Sequence, residues 1–539
     1  MKMCGKIIFL IALLANLPHM ETYGGPDHYI NIAEHGAVPD GKTVNTKAIQ
    51  AAVDQCYANG GTVIIPKGDF VTGTIYLKDN VSIYLEAGAT ILGSTDINDY
   101  PENNPDYEFY GQTWVKQSLF YAENCTNVTI EGKGTIDGQG EAFQVTTKKK
   151  PDRYMNRPYV LWFIKCTNVK VDGITLKNSA MWMQHYMACD FVTINNITVY
   201  NHANKNNDMI DIDGCKNVII SNCYGDTDDD AMTFKSLSGR LNENITVTNC
   251  VLSSHVNALK FGTETSGGFK NVTISNIVIR PSQQREVIYG YPDGICGISL
   301  LMVDGGVMDG INISNVQIDG PEVPFFVRLG NRGRKYKDDQ ETPAVGVLRN
   351  IRLSNITAKN VGSIGASITG IPGHRVENIT IDNIHIEYAG GGTRDDALKD
   401  IPELEDSYPE STIFGNLNSY GLYIRHAQNV RLEDIRLSTG EKDLRPAVVM
   451  DDAINVSVSG LHAEIDEGIP SFIRCTNAKN VDIRNSQVHG MANSFITVNG
   501  EKSEGIVLEG NNFSNTKNKM NVTHGADRNE ITFINNVVP

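Results

Sequence analysis

Along most of the chain, short segments recur in which hydrophobic and polar residues alternate. The clearest form is a tetrapeptide, Asn-Val/Ile-x-hydrophobic, starting at Asn127, Asn168, Asn217, Asn244, Asn271, Asn350, Asn378, Asn429, Asn455 and Asn480. Weaker copies start at Phe191, Gly310 and Gly505. Alternation with period two turns one face of each segment toward a core, as in a β-strand. Many steps are about 25 to 28 residues, and longer ones leave room for an inserted loop. Some repeats carry a second short strand, as at Ala231–Phe234 and Ala258–Phe261. A unit this short cannot bury a core alone, whereas stacked coils can. The pattern predicts an all-β fold, a right-handed parallel β-helix. Asn45 to Asn59 instead shows helical spacing and ends at Gly60 and Gly61. It predicts an amphipathic helix that caps the first coil, just before a strand at Thr62–Pro66.

The start of the chain has a different character. Lys2 and Lys6 precede an apolar run from Ile7 to Leu17, too short to span a bilayer and placed as in a signal peptide. Residues 1–24 are therefore expected to be a leader. Residues 25–539 form a single β-helix domain, with 25–100 supplying the cap and first coils. No later stretch reaches membrane-spanning length, so the expectation is an exported protein, periplasmic or extracellular, and a monomer. Acidic residues outnumber basic ones, 63 to 47, a net charge of −16. That excludes nucleic-acid binding driven by general positive charge, and any anionic ligand needs a local basic patch. Two basic loops are present: Lys148, Lys149, Lys150, Arg153 and Arg157, then Arg332, Arg334, Lys335 and Lys337. Gly390–Ser411 is a long acidic insertion. All three read as solvated loops unless they overhang a groove.

Cys4 precedes the apolar run. The other nine cysteines are odd in number, thinly spread and without a CxxC pair, so neither a disulfide framework nor a zinc site is expected. Cys125, Cys166, Cys189 and Cys215 each precede a strand signature by two residues, which suggests one position stacked in successive coils. The Asn-x-Thr triplets at Asn127, Asn196, Asn244, Asn271 and Asn378 fall where the repeat wants a bend and then a strand, and are read that way rather than as glycosylation sites.

One region holds far more acid than a solenoid needs. Asn206-Asn207-Asp208 with Asp211 and Asp213 lies one coil before Asp226-Thr-Asp-Asp-Asp230, and Asp208 and Asp229 are 21 residues apart. Adjacent coils lie about 5 Å apart, so these carboxylates repel and at least one should hold its proton more tightly than a free Asp. A general acid beside a general base requires that condition, and glycoside hydrolysis uses it. A calcium site or an exposed acidic turn is the alternative on the residues alone. Asp229 and Asp230 reach one groove only if the chain bends there, since strand neighbours point to opposite faces.

With AVPDGKTVNTKAIQAAVDQC, GGTVIIPKGDF, TGTIYLKDNVSIYLEAGATILGS and GTIDGQG near the N-terminus, the chain resembles glycoside hydrolase family 28, the polygalacturonase family of pectin-degrading enzymes. The family's Asn-Thr-Asp motif corresponds to Asn206-Asn207-Asp208, and its Asp-Asp pair to Asp229-Asp230. The resemblance implies Asp229 as general acid, Asp208 and Asp230 as the groups that activate water, inversion at the anomeric carbon, no metal or organic cofactor, and a pectic polysaccharide or oligosaccharide as substrate. Substrate contacts are expected from Asn206, His255, Asn257, Lys260 and Lys235. Two departures stand out. Asn257 occupies the position of the Gly-His-Gly histidine, with His255 two residues earlier. The Arg-Ile-Lys motif that clamps a galacturonate carboxylate should fall near Gly297–Leu301, where no base is present. Lys260, Lys235, Arg280 and Arg285 are candidate replacements, and an exo-galacturonidase or a rhamnogalacturonan hydrolase competes with a plain endo-polygalacturonase. Gly390–Ser411 could close one end of the groove. A β-helix polysaccharide lyase and a non-catalytic carbohydrate-binding β-helix are the readings from other classes.

Overall fold

The computed structural model describes residues 29–538, so the leader read at residues 1–24 lies outside the described part. Every pairing between its strands is parallel, and each strand pairs with its counterpart one coil away. The second position of the tetrapeptide forms one continuous column: Val128, Val169, Val192, Val218, Ile245, Val272, Ile311, Ile351, Ile379, Val430, Val456, Val481 and Ile506. All thirteen repeat copies are therefore in register inside a single apolar core.

The repeat favours Asn for a backbone reason. Asn127, Asn168, Asn217 and Asn244 have φ of 58–60°, and Phe191, Gly310 and Gly505 adopt positive φ at the same position. Asn tolerates this left-handed bend better than other side-chain-bearing residues. Its amide also bridges coils: Asn168 donates to Asn127 at 2.7 Å, and Asn378, Asn429, Asn455 and Asn480 continue such a ladder. The cysteine stack is present as well: the residues after Cys166, Cys189 and Cys215 donate to the carbonyls of Cys125, Cys166 and Cys189 on the preceding coil, and the Cys166 thiol donates to the Ile164 carbonyl at 3.4 Å. The nine cysteines of the described part are all uncrosslinked. Helix α1 (Thr46–Asn59) buries Ile49, Ala52, Val53 and Cys56 against the first coil and is followed by a strand at Gly61–Ile65.

The functional face is a sheet of stacked strands: β1 (Tyr159–Ile164), β2 (Gln184–Met187), β3 (Ile210–Asp213), β4 (Met232–Ser236), β5 (Asn257–Thr265), β6 (Cys296–Met302) and β7 (Val323–Leu329). Its outward column runs Trp162, His185, Asp211, Thr233, Lys260, Ser299, Phe326. Loops cover this floor at both ends. Phe109 and Val115 pack with Tyr121 and Trp162 over one end. Ile401 of the long insertion, with Phe414 and Leu417 just after it, packs on Phe326, Tyr423 and Val449 over the other. Arg328, Arg425 and Arg474 rise from the floor to bond insertion carbonyls of Glu403, Ile401 and Ala397. Between the two covers lies a pocket of about 460 Å³.

Candidate active site

The acidic residues enter this pocket from bends rather than strands. Asp229 and Asp230 lie between the strand Tyr224–Thr227 and β4, and Asp208 lies in the matching bend before β3. Neighbouring carboxylates can share a cavity for that reason. The bend is fixed through the Asp229 carbonyl, which accepts from Thr227 Oγ1 at 2.8 Å and Ser254 Oγ at 2.7 Å. Ile210 pairs with Met232, and the Met209 N–H donates to the Asp230 carbonyl at 3.0 Å. Asp208 is therefore level with Asp230 rather than with Asp229.

The three carboxyl groups are all buried but sit in different surroundings. Asp230 accepts from Lys260 Nζ at 2.7 Å and from Asn257 Nδ2 at 2.7 Å, an ion pair with an amide bond beside it. Asp229 takes part in no ion pair among the described residues, and its oxygens accept only from the Asp230 N–H at 3.0 Å and Asn206 Nδ2 at 3.4 Å. Burial, then the Asp230 charge, pushes the Asp229 carboxyl up to about 7. Asp208 is 2% exposed; burial and the charges of Asp211 and Asp229 hold it well above the usual carboxylate range, and its Oδ1 has no partner. Lys235 is 3.5 Å from Asp208 and 3.2 Å from Asp211, and lies 4.4 Å from the Trp182 ring centre. Burial opposes the Lys235 charge, but Asp211 and Asp208 outweigh it and keep the amine protonated. The arrangement offers one carboxyl able to carry a proton near neutral pH beside one whose charge is compensated, which is the division a general acid and base require.

The sequence profile of "Glycosyl hydrolases family 28" matches residues 58–407. The chain belongs to this family. It is 28% identical over 373 residues to a probable polygalacturonase from Vitis vinifera, covering 67% of this chain and 75% of that protein. An exo-poly-alpha-D-galacturonosidase from Dickeya chrysanthemi is 29% identical over 261 residues, 39% of this chain and 42% of its own. Among solved structures, a hyperthermoactive exopolygalacturonase from Thermotoga maritima shares the fold, with a TM-score of 0.57 at 22% identity over 77% of this chain and 93% of that one.

In this family 28 glycoside hydrolase, Asp208, Asp229, Asp230, Asn206, Lys235 and Lys260 all line the pocket, and Asn257 supports it from beneath by bonding Asp230. His255 is placed elsewhere. The preceding strand ends at Ser254 and the chain turns at 255–256, so a two-residue offset does not keep the same face. The His255 ring bonds Asp228 through Nδ1 at 2.9 Å and the Gln284 carbonyl through Nε2 at 2.8 Å. Both partners are acceptors, so each ring nitrogen can donate a proton; burial opposes the charged ring, but the Asp228 and Gln284 bonds raise the imidazole above its ordinary value. Asp228 also accepts from the Ile288 and Tyr289 N–H groups at 2.8 and 3.0 Å, tying the loop after Arg280 to the bend that bears Asp229. These bonds already engage both Asp228 and His255, although their donor atoms and His202 lie close enough together to suggest a metal site.

Arg280 and Arg285 do not line the pocket, and Arg285 pairs with Asp293 at 2.7 Å. Sequence reasoning missed Trp182, His185, Glu264, Tyr408 and Glu410. Tyr408 comes from the long insertion and bonds Thr263 at 3.0 Å. Glu410 lies close to Lys260 and Asp230, and burial raises its carboxyl above the ordinary range. Both basic loops overhang the pocket, through Lys148, Lys150 and Arg153 on one side and Arg334 on the other. Away from the pocket, in the later coils, His426 bonds Asp452 at 2.7 Å and Glu403 at 3.1 Å, and Arg445 pairs with Asp443 at 2.7 Å.

Proposed function

We propose that this enzyme hydrolyses galacturonosyl linkages of pectic polysaccharide, removing sugar from a chain end with inversion at the anomeric carbon. The observation that carries the reading is the contrast between two neighbouring carboxyl groups: Asp229, unpaired and pushed up to about 7, and Asp230, bonded to Lys260 and Asn257. Asp229 protonates the glycosidic oxygen as the C–O bond breaks. Asp230 takes a proton from the water that attacks the anomeric carbon from the opposite face. Asp208 orients that water through its unpartnered Oδ1. Burial and the Asp211 charge favour the protonated form of Asp208, which places the base role on Asp230 rather than sharing it equally.

End-wise attack is supported by the floor being covered on both sides, so that a polymer cannot lie along the solenoid axis past Phe326 or Trp162. The names of the Vitis, Dickeya and Thermotoga relatives agree with a galacturonan substrate. Incubation with polygalacturonate and, separately, rhamnogalacturonan tests the reading. Mono- or disaccharides should appear from the first time point, and the first-formed anomer, followed by NMR, should be inverted. Asp229→Asn should lower kcat by about 10²- to 10⁴-fold with substrate binding retained. Ultraviolet-absorbing unsaturated products would instead establish elimination, and mixed long oligomers from the start would refute chain-end attack.

A further inference from the structure

Two loops that the coil repeat does not require meet over the ends of β4 and β5. Tyr110 is anchored there by its N–H, which donates to the Leu237 carbonyl at 2.8 Å. Trp114 makes an edge contact with Tyr110 at 4.9 Å between ring centres and stacks on Tyr154 at 5.3 Å with only 7° between planes. Three cations sit on this aromatic platform. Lys150 Nζ is 5.7 Å from the Trp114 ring centre and 5.6 Å from that of Tyr154. The Arg153 guanidinium lies 5.0 Å over Tyr154, and that of Arg334 lies 4.4 Å over Tyr110.

Their charges are not balanced. Arg334 pairs with Glu264 at 2.7 Å, and Arg332, behind it, bonds Asp304. Lys150 and Arg153 take part in no ion pair among the described residues, and the Arg153 Nε is buried without a partner. Burial, then the Arg334 charge, lowers the Lys150 amine below its ordinary value, the mark of a cation short of an anion. A neutral sugar would leave that shortage in place. A pyranose ring bearing a carboxylate would remove it: aromatic rings receive the apolar face of the sugar, and the carboxylate receives charge-assisted hydrogen bonds. The platform lines the same pocket as Asp229, and Arg157 links the two by bonding both the Arg153 carbonyl at 3.0 Å and Asn206 at 3.4 Å.

We infer that Lys150, with Arg153 and Arg334, forms a uronate-carboxylate subsite built on Tyr110, Trp114 and Tyr154. It does the work that β6 cannot do, since the outward residues of that strand are Ser299 and Leu301. This inference rests on the galacturonan reading of the pocket, and its test separates the two. Trigalacturonate and its methyl ester are compared as substrates, and their binding to the Asp229→Asn enzyme is measured by calorimetry. Lys150→Met, which keeps the apolar stem, should weaken binding of the acid by about 10- to 100-fold and that of the ester by less than about twofold. Lys150→Arg should restore the preference for the acid, which excludes misfolding as the cause. Equal losses on acid and ester, or an undiminished affinity for the acid, would overturn the subsite while leaving galacturonan hydrolysis intact. Lys150-dependent binding without hydrolysis of either compound by the wild type would retain the subsite and reject the proposed reaction. Absence of both binding and hydrolysis would reject both.

Discussion

Asp229→Asn should make the protein more stable above neutral pH and leave it unchanged in acid. In the native state burial and the Asp230 charge lift the Asp229 carboxyl from 3.8 to about 7, roughly three pH units. At about 1.36 kcal/mol per unit, the fold disfavours the ionised form by up to about 4 kcal/mol. The sign follows from proton linkage. A native pKa above the unfolded one means that the folded state binds the extra proton, so this group supports folding below pH 4 and ceases to do so as pH rises through 7. Asn cannot ionise, accepts the Asp230 N–H as Asp does, and removes the pH-dependent loss. Urea unfolding of wild type and variant at pH 4, 6 and 8 measures the difference. Equal midpoints are expected at pH 4, with the variant ahead by an amount that grows to at most about 4 kcal/mol at pH 8. A gap independent of pH, or a variant less stable at pH 8, would refute the claim that the native fold holds this carboxyl protonated.

Three further outcomes follow from the same geometry. With Asp229 as general acid, kcat/KM should fall about tenfold per unit above pH 7, and a flat profile to pH 9 would remove that role. His255 is surrounded by Asp228, Asp226 and His202; burial opposes its charge, but Asp228 and the Gln284 carbonyl hold it above its ordinary value. Proteolytic nicking of residues 280–294 should therefore increase as pH rises beyond the ordinary histidine range, and His255→Gln should show the faster rate already at pH 5; identical digestion of wild type and variant at every pH would contradict this. Arg445, fully buried, bonds Asp443 and the carbonyls of Ser363 and Leu417. Arg445→Met should cost about 3–5 kcal/mol in urea unfolding, with partial recovery in the double variant Arg445→Met/Asp443→Asn.

The repeat was legible because it rests on a local backbone preference. An Asn at positive φ followed by alternating apolar residues is a one-dimensional signal, and even Phe191 and Gly310 kept its phase. Asp229 and Asp230 were legible as a pair whose joint use demanded a bend, and a bend is present. The partner of Asp208 was misjudged by one residue, because coil lengths near this site are 22 and 27 rather than a fixed period, as the pairing of Ile210 with Met232 and of Met232 with Leu259 shows. His255 was placed by strand arithmetic across a corner where no strand exists. The walls of the pocket were not legible. Lys150, Arg334 and Tyr408 reach it from loops whose paths depend on tertiary contacts, such as the packing of Phe414 on Phe326, that leave no periodic trace.

Placing Asp208 and Asp230 on successive coils also fixes a length scale. Their separation along the solenoid is set by the hydrogen-bonded spacing between strands, about 4.8 Å, which no side-chain substitution can stretch by much. Drift in the surrounding loops can therefore change what enters the pocket and how firmly it is held, while the distance between these two groups stays tied to the backbone lattice. Selection on such a scaffold can exchange walls freely, whereas the gain or loss of a whole turn between the two bends would change that distance at once.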